Sequence, residues 1–269
     1  MEIQLWREIL EPYSLAVDEL VVKFEHMIRA KRQNGQYSPM ERVEGRVKTI
    51  YSILEKCQKK GIPYERFEEK LGDIAGIRIT CQFVDDIYEV VRLIRLRSDM
   101  RVKNEKDYIK NTKDSGYRSY HMIVYYTVET EKGPREIPVE IQIRTLAMNF
   151  WATVEHSLQY KYKENLPESI AERLHKAADA IVTLDQEMSS IREDILDSQI
   201  SFNIKAEMVA DILNNIQNLY KVANKKEVVQ IQDEFFKIYS TDDLSALNKF
   251  SHELDTIAEG YRAQSLNLN

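Results

Sequence analysis

The sequence has few of the residues and motifs that mark common catalytic and metal-binding classes. Only two of its 269 residues are cysteines, Cys57 and Cys81, and neither belongs to a CxxC pair or to a cysteine–histidine cluster with metal-ligand spacing. This scarcity predicts inert, reduced thiols and argues against a disulfide scaffold or a zinc site. The eight glycines form neither a GxxxxGK[ST] nor a GxGxxG loop, and no histidine is followed by aspartate. P-loop, Rossmann and HD-type phosphohydrolase chemistry are therefore disfavoured.

Long apolar runs and targeting segments are also missing. No stretch approaches the ~20 apolar residues that a membrane span needs, and residues 1–6 lack the basic-then-apolar layout of a signal peptide. Charged residues make up 30% of the chain and hydrophobic residues 43%, which is typical of a folded, soluble protein. We therefore expect a cytoplasmic protein with no membrane partner.

The charge is unevenly distributed along the chain. Residues 1–150 hold 26 Lys and Arg against 24 Asp and Glu, whereas residues 151–269 hold 12 against 20. The basic side chains thus lie in the half that also carries the polar strands described below. This distribution favours a small, phosphate-rich ligand in that half and argues against broad nucleic-acid binding by the carboxyl-terminal part.

Periodicity predicts an α+β protein. Apolar residues recur at helical spacing over residues 6–32, and Asn34-Gly35 ends this predicted helix. Ser38-Pro39, with Glu41 behind it, predicts the start of a second helix that runs to Lys60. Alternating or β-branched stretches then predict strands that begin near residues 77, 100, 121 and 139.

The last third of the sequence predicts helices alone. No proline follows Pro167, only Gly260 interrupts the pattern, and residues 240–243 have the composition of a helix cap. We predict two parts, a mixed sheet flanked by helices in residues 1–200 and a helical extension of unassigned role in residues 201–269.

One strand is polar on a whole face. Val139, Ile141 and Ile143 share one face of this predicted strand, while the other face carries the three polar residues Glu140, Gln142 and Arg144. A carboxylate, an amide and a guanidinium in one row predict the floor of a polar pocket.

Two acidic residues are candidate metal ligands. Asp73 lies just before the strand at residue 77, and Glu140 lies within the polar strand. If these strands are neighbours, the two carboxylates can share a Mg²⁺ ion, which leaves its other positions to water and phosphates. The alternative is that Asp73 caps a turn and Glu140 is a solvated strand residue.

A group of basic residues could hold a phosphate chain. Arg46, Lys48, Lys56 and Lys59 fall on the second predicted helix, with Ser52 between them. Such a stripe suits a triphosphate, although a solvated basic helix face has the same pattern.

Two side chains suit stacking on a base. Arg78 projects from the polar face of its strand, and Tyr117 follows the glycine turn at Gly116. Tyr117 could equally be a core tyrosine, and His121 is open to both a structural and a catalytic interpretation.

In this order, the segments resemble the small alarmone synthetases, which are single-domain relatives of the RelA/SpoT enzymes. Members of this family transfer pyrophosphate from ATP to the 3′-hydroxyl of GTP or GDP, and the RelQ-type members, which the chain resembles most, are homotetramers. The motifs that carry the resemblance are Ser38-Pro39, Gly45-Arg46-Val47-Lys48, Asp73-Ile74-Ala75-Gly76-Ile77-Arg78, Lys106-Asp107-Tyr108-Ile109, Ser115-Gly116-Tyr117-Arg118-Ser119-Tyr120-His121, Glu140-Ile141-Gln142-Ile143-Arg144-Thr145, Phe150-Trp151-Ala152 and Glu155-His156.

The resemblance implies a nucleotidyltransferase-like fold and a set of roles for residues. ATP would be bound by Arg46, Lys48, Ser52, Lys56, Lys59 and Arg78, with the two arginines on either side of adenine. The guanine nucleotide would be bound by Lys106, Lys113, Tyr117, His121, Gln142 and Arg144. Asp73 and Glu140 would bind Mg²⁺, and Glu140, Asp73 and His121 would be the catalytic residues, with Glu140 accepting the hydroxyl proton.

The resemblance is weakest at the regulatory positions. RelQ-type enzymes that are activated by pppGpp have basic residues on the first helix, followed by an aromatic residue and a small hydroxyl residue after Ser-Pro. This chain has Glu25, Ile28, Arg42 and Glu44 at the matching positions, although Asn149 is retained. Carboxylates repel a highly charged anion, so an allosteric site here is doubtful.

Two other classes of function remain as alternatives to the pyrophosphokinase. The same fold could serve as a module that binds single-stranded RNA or a protein, or it could transfer a nucleotide to another acceptor. The sequence does not choose among GTP, GDP and GMP as acceptor.

Overall fold

A long amino-terminal helix, α1 (Ile3–Gln33), precedes a five-stranded sheet in this computed structural model, which describes residues 3–161 and 167–266. The remaining elements of the amino-terminal part are β1 (Arg42–Val47), α2 (Ile50–Lys60), a 3-10 turn (Tyr64–Arg66), α3 (Phe67–Lys70), β2 (Ala75–Cys81), α4 (Val84–Arg95), β3 (Met100–Asp107), β4 (Tyr120–Thr130), β5 (Gly133–Thr145) and α5 (Leu146–Lys161). The helices α6 (Glu168–Val222), α7 (Lys225–Ser240) and α8 (Leu244–Leu266) follow.

The sheet is mixed, as predicted. Its strand order is β1-β2-β5-β4-β3, with β2 and β5 parallel and the other pairs antiparallel. The alternation in β2 and β5 places Ile77 and Ile141 on one face, where they are fully buried together with Leu20 and Phe24 of α1. The opposite face of the central strands carries the polar residues.

The predicted second helix is wrong over its first part. Residues Arg42–Val47 form strand β1, which pairs antiparallel with β2, and the helix begins only at Ile50 after the N-cap Thr49. The Ser-Pro signal indicated a helix start, but burial of Val43 and pairing with the edge of β2 favour a strand. Arg46 therefore projects from a sheet edge and not from the helix that carries Lys56.

Gly45 allows α1 to lie close to β1. A Cβ atom built on this residue would lie 2.4 Å from Val17 Cγ1 and 2.7 Å from Val21 Cγ2, far inside contact distance. Because valine is stiff about χ1, neither side chain can rotate away without strain.

We expect Gly45→Ala to lower the free energy of unfolding by about 1–3 kcal/mol, the usual cost of an overpacked core. Urea denaturation followed by circular dichroism measures this loss. The double variant with Val17→Ala should lose less than the sum of the two single losses, because the smaller side chain relieves the clash. If the two losses in free energy of unfolding simply add, α1 moves to accommodate the new methyl group and there is no local clash.

The chain divides into two compact units, Met1–Ser190 and Ile191–Asn269. The second unit comprises the carboxyl-terminal part of α6 with α7 and α8, and it has its own core around Ile212, Phe235 and Phe250. The predicted cap of the last helix is confirmed, since Asp243 Oδ1 accepts hydrogen bonds from the amides of Ser245 and Ala246. Within the residues that the structure describes, no helix is long and apolar enough to cross a membrane.

Candidate functional site

Strand register gathers polar side chains from all five strands into rows on one face of the sheet. One row follows the paired positions Glu44, Arg78, Gln142, His121 and Lys106. The next row contains Arg46, Gly76 and Glu140. The two acidic segments are therefore neighbours, which is the condition for a shared ion, because the strand that follows Asp73 pairs directly with the strand that carries Glu140.

Two cavities open on this face and share a wall. The larger has a volume of about 600 Å³ and is lined by Arg46, Asp73, Arg78, Lys113, Ser115, Tyr117, His121, Glu140, Gln142, Arg144, Ala152, Thr153, Glu155 and His156. The smaller has a volume of about 270 Å³ and is lined by Glu44, Gly45, Arg46, Lys48, Asp73, Ile74, Gly76, Ile77, Arg78, Glu140 and Gln142. Arg46, Asp73, Arg78, Glu140 and Gln142 belong to both, so two ligands bound here would meet at the acidic pair.

Asp73 is held by two lysines from different elements. Its Oδ2 accepts a hydrogen bond at 2.5 Å from the Nζ atom of Lys48, the residue that follows β1. The same oxygen accepts a second hydrogen bond from Lys56 Nζ on α2. Burial by itself favours the neutral acid, but the two ammonium groups outweigh it and lower the pKa of Asp73. The other oxygen, Oδ1, is buried and accepts no hydrogen bond from the residues that the structure describes.

Glu140 is the common end of two hydrogen-bond paths that both start at Arg144. In the first, Arg144 Nη2 donates to Gln142 Oε1 at 2.8 Å, and Gln142 Nε2 donates to Glu140 Oε2 at 2.8 Å. In the second, Arg144 Nη2 donates to the Tyr117 hydroxyl at 2.6 Å, and that hydroxyl lies 2.8 Å from His121 Nε2. His121 Nδ1 lies 3.2 Å from Glu140 Oε1 and completes the second path.

The chemistry of the groups sets the direction of the first step in each path. A guanidinium only donates, so the Tyr117 hydroxyl oxygen accepts from Arg144. In the His121 tautomer that has its ring N–H on Nδ1, the Tyr117 hydroxyl donates a hydrogen bond to Nε2 and the Nδ1–H faces Glu140. Burial raises the pKa of Glu140 and the contacts with His121 and Gln142 lower it, with a net lowering. Glu140 is therefore an ionised acceptor with both oxygens engaged.

Cations surround the Tyr117 ring. Lys113 Nζ lies 4.6 Å and Arg144 Cζ 5.1 Å from the ring centroid. The ring is half-buried in the wall of the larger cavity, and burial is the main cause that raises the pKa of its hydroxyl. Tyr117 thus lines the cavity and also packs against the small apolar cluster of Trp151, Ala152 and Ala178.

Arg46 and Arg78 line both cavities from neighbouring strands. Burial, together with the charges of Arg144 and Arg46, lowers the pKa of Arg78. Its Nε is buried and makes no hydrogen bond with the residues that the structure describes. A crowded, partly desolvated pair of guanidinium planes is suited to an aromatic ring or an anion.

Not all of the predicted site residues line the cavities. Lys56 reaches the site through Asp73, whereas Lys59 at the end of α2 and Lys106 on β3 are exposed. Ser52 accepts a hydrogen bond from Thr49 Oγ1 at 2.9 Å. Contacts of these three side chains with a ligand remain predictions.

Sequence reasoning assigned no role to the residues that α5 and the glycine turn contribute to the larger cavity. These are Ser115, Ala152, Thr153, Glu155 and His156. The available signal was the position of α5, which begins directly after the polar strand and so must flank its end. Glu155 lines the cavity from α5, and burial raises the pKa of its carboxyl.

The doubtful regulatory positions form local ion pairs. Glu25 pairs with Arg29 at 3.3 Å on α1, and Arg42 pairs with Glu44 at 2.7 Å on β1. Ile28 is buried in the core. Asn149 Oδ1 is buried without a hydrogen-bond partner in the described part of the chain.

Asp73 and Glu140 could supply two ligands to a magnesium ion but not its whole coordination shell. Within residues 3–161 and 167–266, no cluster of three or more His, Cys, Asp or Glu side chains could hold a metal by itself. Magnesium needs no such cluster, because it uses one or two carboxylates and completes its shell with water and substrate phosphates. Asp73 Oδ1, which has no hydrogen-bond partner in the described part of the chain, and the ionised Glu140 meet that smaller requirement.

Comparison with known proteins agrees with this geometry. A family described as "Region found in RelA / SpoT proteins" matches residues 45–165. The chain is 48% identical to the GTP pyrophosphokinase YjbM of Bacillus subtilis over 205 residues, which is 76% of this chain and 97% of that protein.

Two solved structures have the same fold. One is a GTP pyrophosphokinase family protein from Streptococcus pneumoniae, with a TM-score of 0.70 and 51% identity over 74% of this chain and 98% of that one. The other is the small alarmone synthetase 1 of Bacillus subtilis bound to its product pppGpp, with a TM-score of 0.69 and 49% identity over 71% of this chain and 98% of that one. The chain therefore belongs to the RelA/SpoT family, among the small alarmone synthetases, which are GTP pyrophosphokinases.

Proposed function

We propose that this protein is a (p)ppGpp synthetase that transfers pyrophosphate from ATP to the 3′-hydroxyl of GTP or GDP and releases AMP. The carrying observation is the pair of cavities that meet at Asp73 and Glu140. A reaction between two nucleotides needs two compartments with a common wall where the reacting groups are held together. The relatives named above, one of them with pppGpp bound, support the same activity.

The smaller cavity and its rim take the donor, ATP. Arg46 and Arg78 offer guanidinium planes for adenine, and Lys48 and Lys56 stand where the phosphate chain enters. Both lysines neutralise Asp73 in the structure, so they are positioned to exchange that carboxylate for phosphate oxygens. Ser52 and Lys59, on the same helix as Lys56, would contact the outer end of the chain.

The larger cavity takes the acceptor. Tyr117 provides a stacking surface for guanine, and Lys113 and Arg144 add positive charge for its phosphates. Glu155 on α5 is placed to accept hydrogen bonds from the N1 and N2 donors of guanine, which adenine lacks in that arrangement. Lys106, on the edge strand, would act as an outlying phosphate contact.

Mg²⁺, held by Asp73 and Glu140, would neutralise negative charge on the phosphates of ATP. The protein aligns the acceptor 3′-oxygen with the β-phosphorus of ATP. The bond between O3′ and Pβ forms, the bond between Pβ and the α,β-bridging oxygen breaks, and that oxygen leaves on AMP while the hydroxyl proton goes to Glu140. Glu140 is a weak base, because its pKa is lowered and both of its oxygens accept hydrogen bonds. Phosphoryl-type transfer needs little help from a base, so its larger role is to orient His121 and to hold charge.

We propose that the protein assembles as a homotetramer, as the RelQ-type members that it resembles do. The α5 helix presents an apolar stripe to solvent, Leu146, Phe150 and Val154, of which Phe150 is 68% exposed. Such a stripe is suited to burial against another subunit.

Single-stranded RNA is a weaker candidate ligand, since residues 191–269 hold 8 Lys and Arg against 13 Asp and Glu, a net charge of −5.

One assay tests the function against its alternatives. The purified protein is incubated with Mg²⁺ and ATP labelled in the β- and γ-phosphates, together with GTP, GDP, GMP or a short RNA in separate reactions. Label transferred to a guanine nucleotide, with AMP formed in equal amount, supports the proposal. Transfer to RNA, or binding of RNA without transfer, would support the competing functions instead.

We expect Tyr117→Ala to raise KM for the guanine nucleotide by about five- to 150-fold, because base stacking contributes about 1–3 kcal/mol. KM for ATP should stay close to that of the unchanged protein. Initial rates measured with one substrate varied at a time provide both constants.

Tyr117→Phe is the matched control, since it keeps the ring and removes the hydroxyl that contacts Arg144 and His121. It should leave KM for the guanine nucleotide nearly unchanged and lower kcat through a misplaced His121. Equal rises in both KM values for the alanine variant would mean that Tyr117 is only structural.

A further inference from the structure

Asp185 is a buried acid that the reaction described above does not use. It lies on α6, with only 5% of its surface exposed, and its Oδ2 accepts a hydrogen bond from Thr145 Oγ1 at 2.8 Å. Thr145 is fully buried and ends strand β5 directly after Arg144. The same hydroxyl oxygen accepts a hydrogen bond from the Met148 amide at 3.0 Å, so it caps the first turn of α5.

The same stretch of α6 supports the other wall of the larger cavity. A Cβ on Gly116 would lie 2.7 Å from Ala178 Cβ, and the φ of Gly116 is +86°, so the glycine turn fits against α6 only without a side chain. Arg118 Nη1 donates to the Ala178 carbonyl at 3.4 Å. On the α5 side, Trp151 Nε1 donates to the Leu174 carbonyl at 3.0 Å. Residues 174–185 thus contact both the turn that carries Tyr117 and the helix that carries Glu155.

We propose that Asp185 is a positioning residue for the acceptor compartment, which it acts on through Thr145. The hydroxyl of Thr145 has one proton, and giving it to Asp185 points the oxygen lone pairs at the Met148 amide. This arrangement fixes the start of α5 relative to the end of β5. Arg144, which begins both hydrogen-bond paths to Glu140, lies one residue away.

The raised pKa of Asp185 is consistent with a role that depends on its acceptor oxygen and not on its charge. Burial raises the pKa of its carboxyl, while the Thr145 hydrogen bond and the charge of Arg118 lower it, with a net rise. A buried carboxyl with a raised pKa contributes stability below its unfolded pKa, and this contribution is lost as the pH rises through the folded value. An amide of the same shape keeps the acceptor oxygen without a buried charge, so Asp185→Asn should hold Thr145 equally well.

The inference rests on the proposed pyrophosphate transfer for its kinetic consequence. The donor cavity is lined by residues of β1, β2 and β5, by Lys48 and by the segment before β2, whereas Thr145, which donates to Asp185, is not among its lining residues. Loss of the Asp185 contact should therefore disturb the acceptor and spare ATP.

The test compares three full-length variants. Asp185→Ala removes the acceptor oxygen, Asp185→Asn keeps it, and Glu187→Ala removes an exposed acid two residues further along the same helix. We expect Asp185→Ala to raise KM for GDP about tenfold, the effect of one net hydrogen bond. KM for ATP should be unchanged, and the Asn variant and the Glu187 variant should behave like the parent protein.

Hydrogen–deuterium exchange provides a second readout that needs no turnover. Peptides covering residues 145–156 and 113–118 should exchange faster in Asp185→Ala than in the other two variants, at a temperature where all remain folded by circular dichroism. Unchanged exchange in these peptides overturns the proposal, whether or not the parent protein transfers pyrophosphate. A lowered kcat with equal shifts in both KM values also overturns it, because that pattern reports general destabilisation.

Discussion

Glu140→Gln and Asp73→Asn should each abolish pyrophosphate transfer, with a loss of about a thousandfold or more, since stabilisation of phosphate charge by a metal accounts for several kcal/mol. Each substitution removes a charged oxygen from the shared wall and keeps the shape of the side chain. Both residues project from the polar side of the sheet, so the apolar core around Ile77 and Ile141 is untouched. Initial rates with saturating ATP and GDP measure the loss.

The pKa directions support this expectation across the neutral range. Both carboxyl groups have a lowered pKa, by lysine contacts for Asp73 and by His121 and Gln142 contacts for Glu140, in each case against the opposing effect of burial. A lowered folded pKa stabilises the protein above the unfolded value, and this stability is lost as the pH falls through the folded value. Both charges are therefore present wherever the enzyme would work, and an amide cannot replace them.

Glu129→Gln is a matched control, because Glu129 is an exposed acid on the neighbouring strand β4 and lines neither cavity. It should leave the rate unchanged. Parent-like turnover by either site variant, with normal circular dichroism and thermal stability, would remove the shared-metal assignment. Loss of fold in Asp73→Asn would instead point to the Lys48 and Lys56 contacts as structural.

Added pppGpp should produce little or no activation of this enzyme. Arg29 on α1 and Arg42, which stands at one of the altered regulatory positions, are paired with Glu25 and Glu44. A lost charge-assisted contact costs about 1.5–3 kcal/mol, and nearby carboxylates add repulsion that salt screens only in part. Together these effects weaken effector binding by about a hundredfold or more.

Titration of pppGpp into an initial-rate assay at subsaturating substrate measures the effect. The double variant Glu25→Gln, Glu44→Gln frees both arginines and keeps side-chain shape, so it should gain some response if charge is the cause. Strong activation of the unchanged protein by micromolar pppGpp would show that the site has been rebuilt with other residues.

The sequence predicted those parts of the fold that depend on local pattern. Helix α1, the strands β2, β4 and β5 and the helical carboxyl-terminal region follow from periodicity, and the row Glu140, Gln142 and Arg144 follows from strand alternation. The pattern failed at Arg42–Val47, where a cap signal competed with a strand that exists because β2 offers an edge. Pairing of that kind is a non-local property, and a single sequence carries little signal for it.

The sequence predicted which residues the site contains better than it predicted which of them contact each other. Lys48, Lys56 and Asp73 come from three separate segments, and only the folded chain shows that both lysines contact one oxygen. Likewise, the path from Arg144 through Tyr117 and His121 to Glu140 joins residues of two strands and a turn. The contributions of Glu155 and Asp185 depend on how α5 and α6 pack, which no local pattern encodes.

The common wall of the two cavities has a consequence for inhibitor chemistry. Five residues line both compartments, so a single molecule with an adenosine at one end and a guanosine at the other could occupy both at once. Once one end is bound, the other end meets its compartment at a high effective concentration. Two individually weak heads on a short polyphosphate tether could thus make a tight and selective ligand.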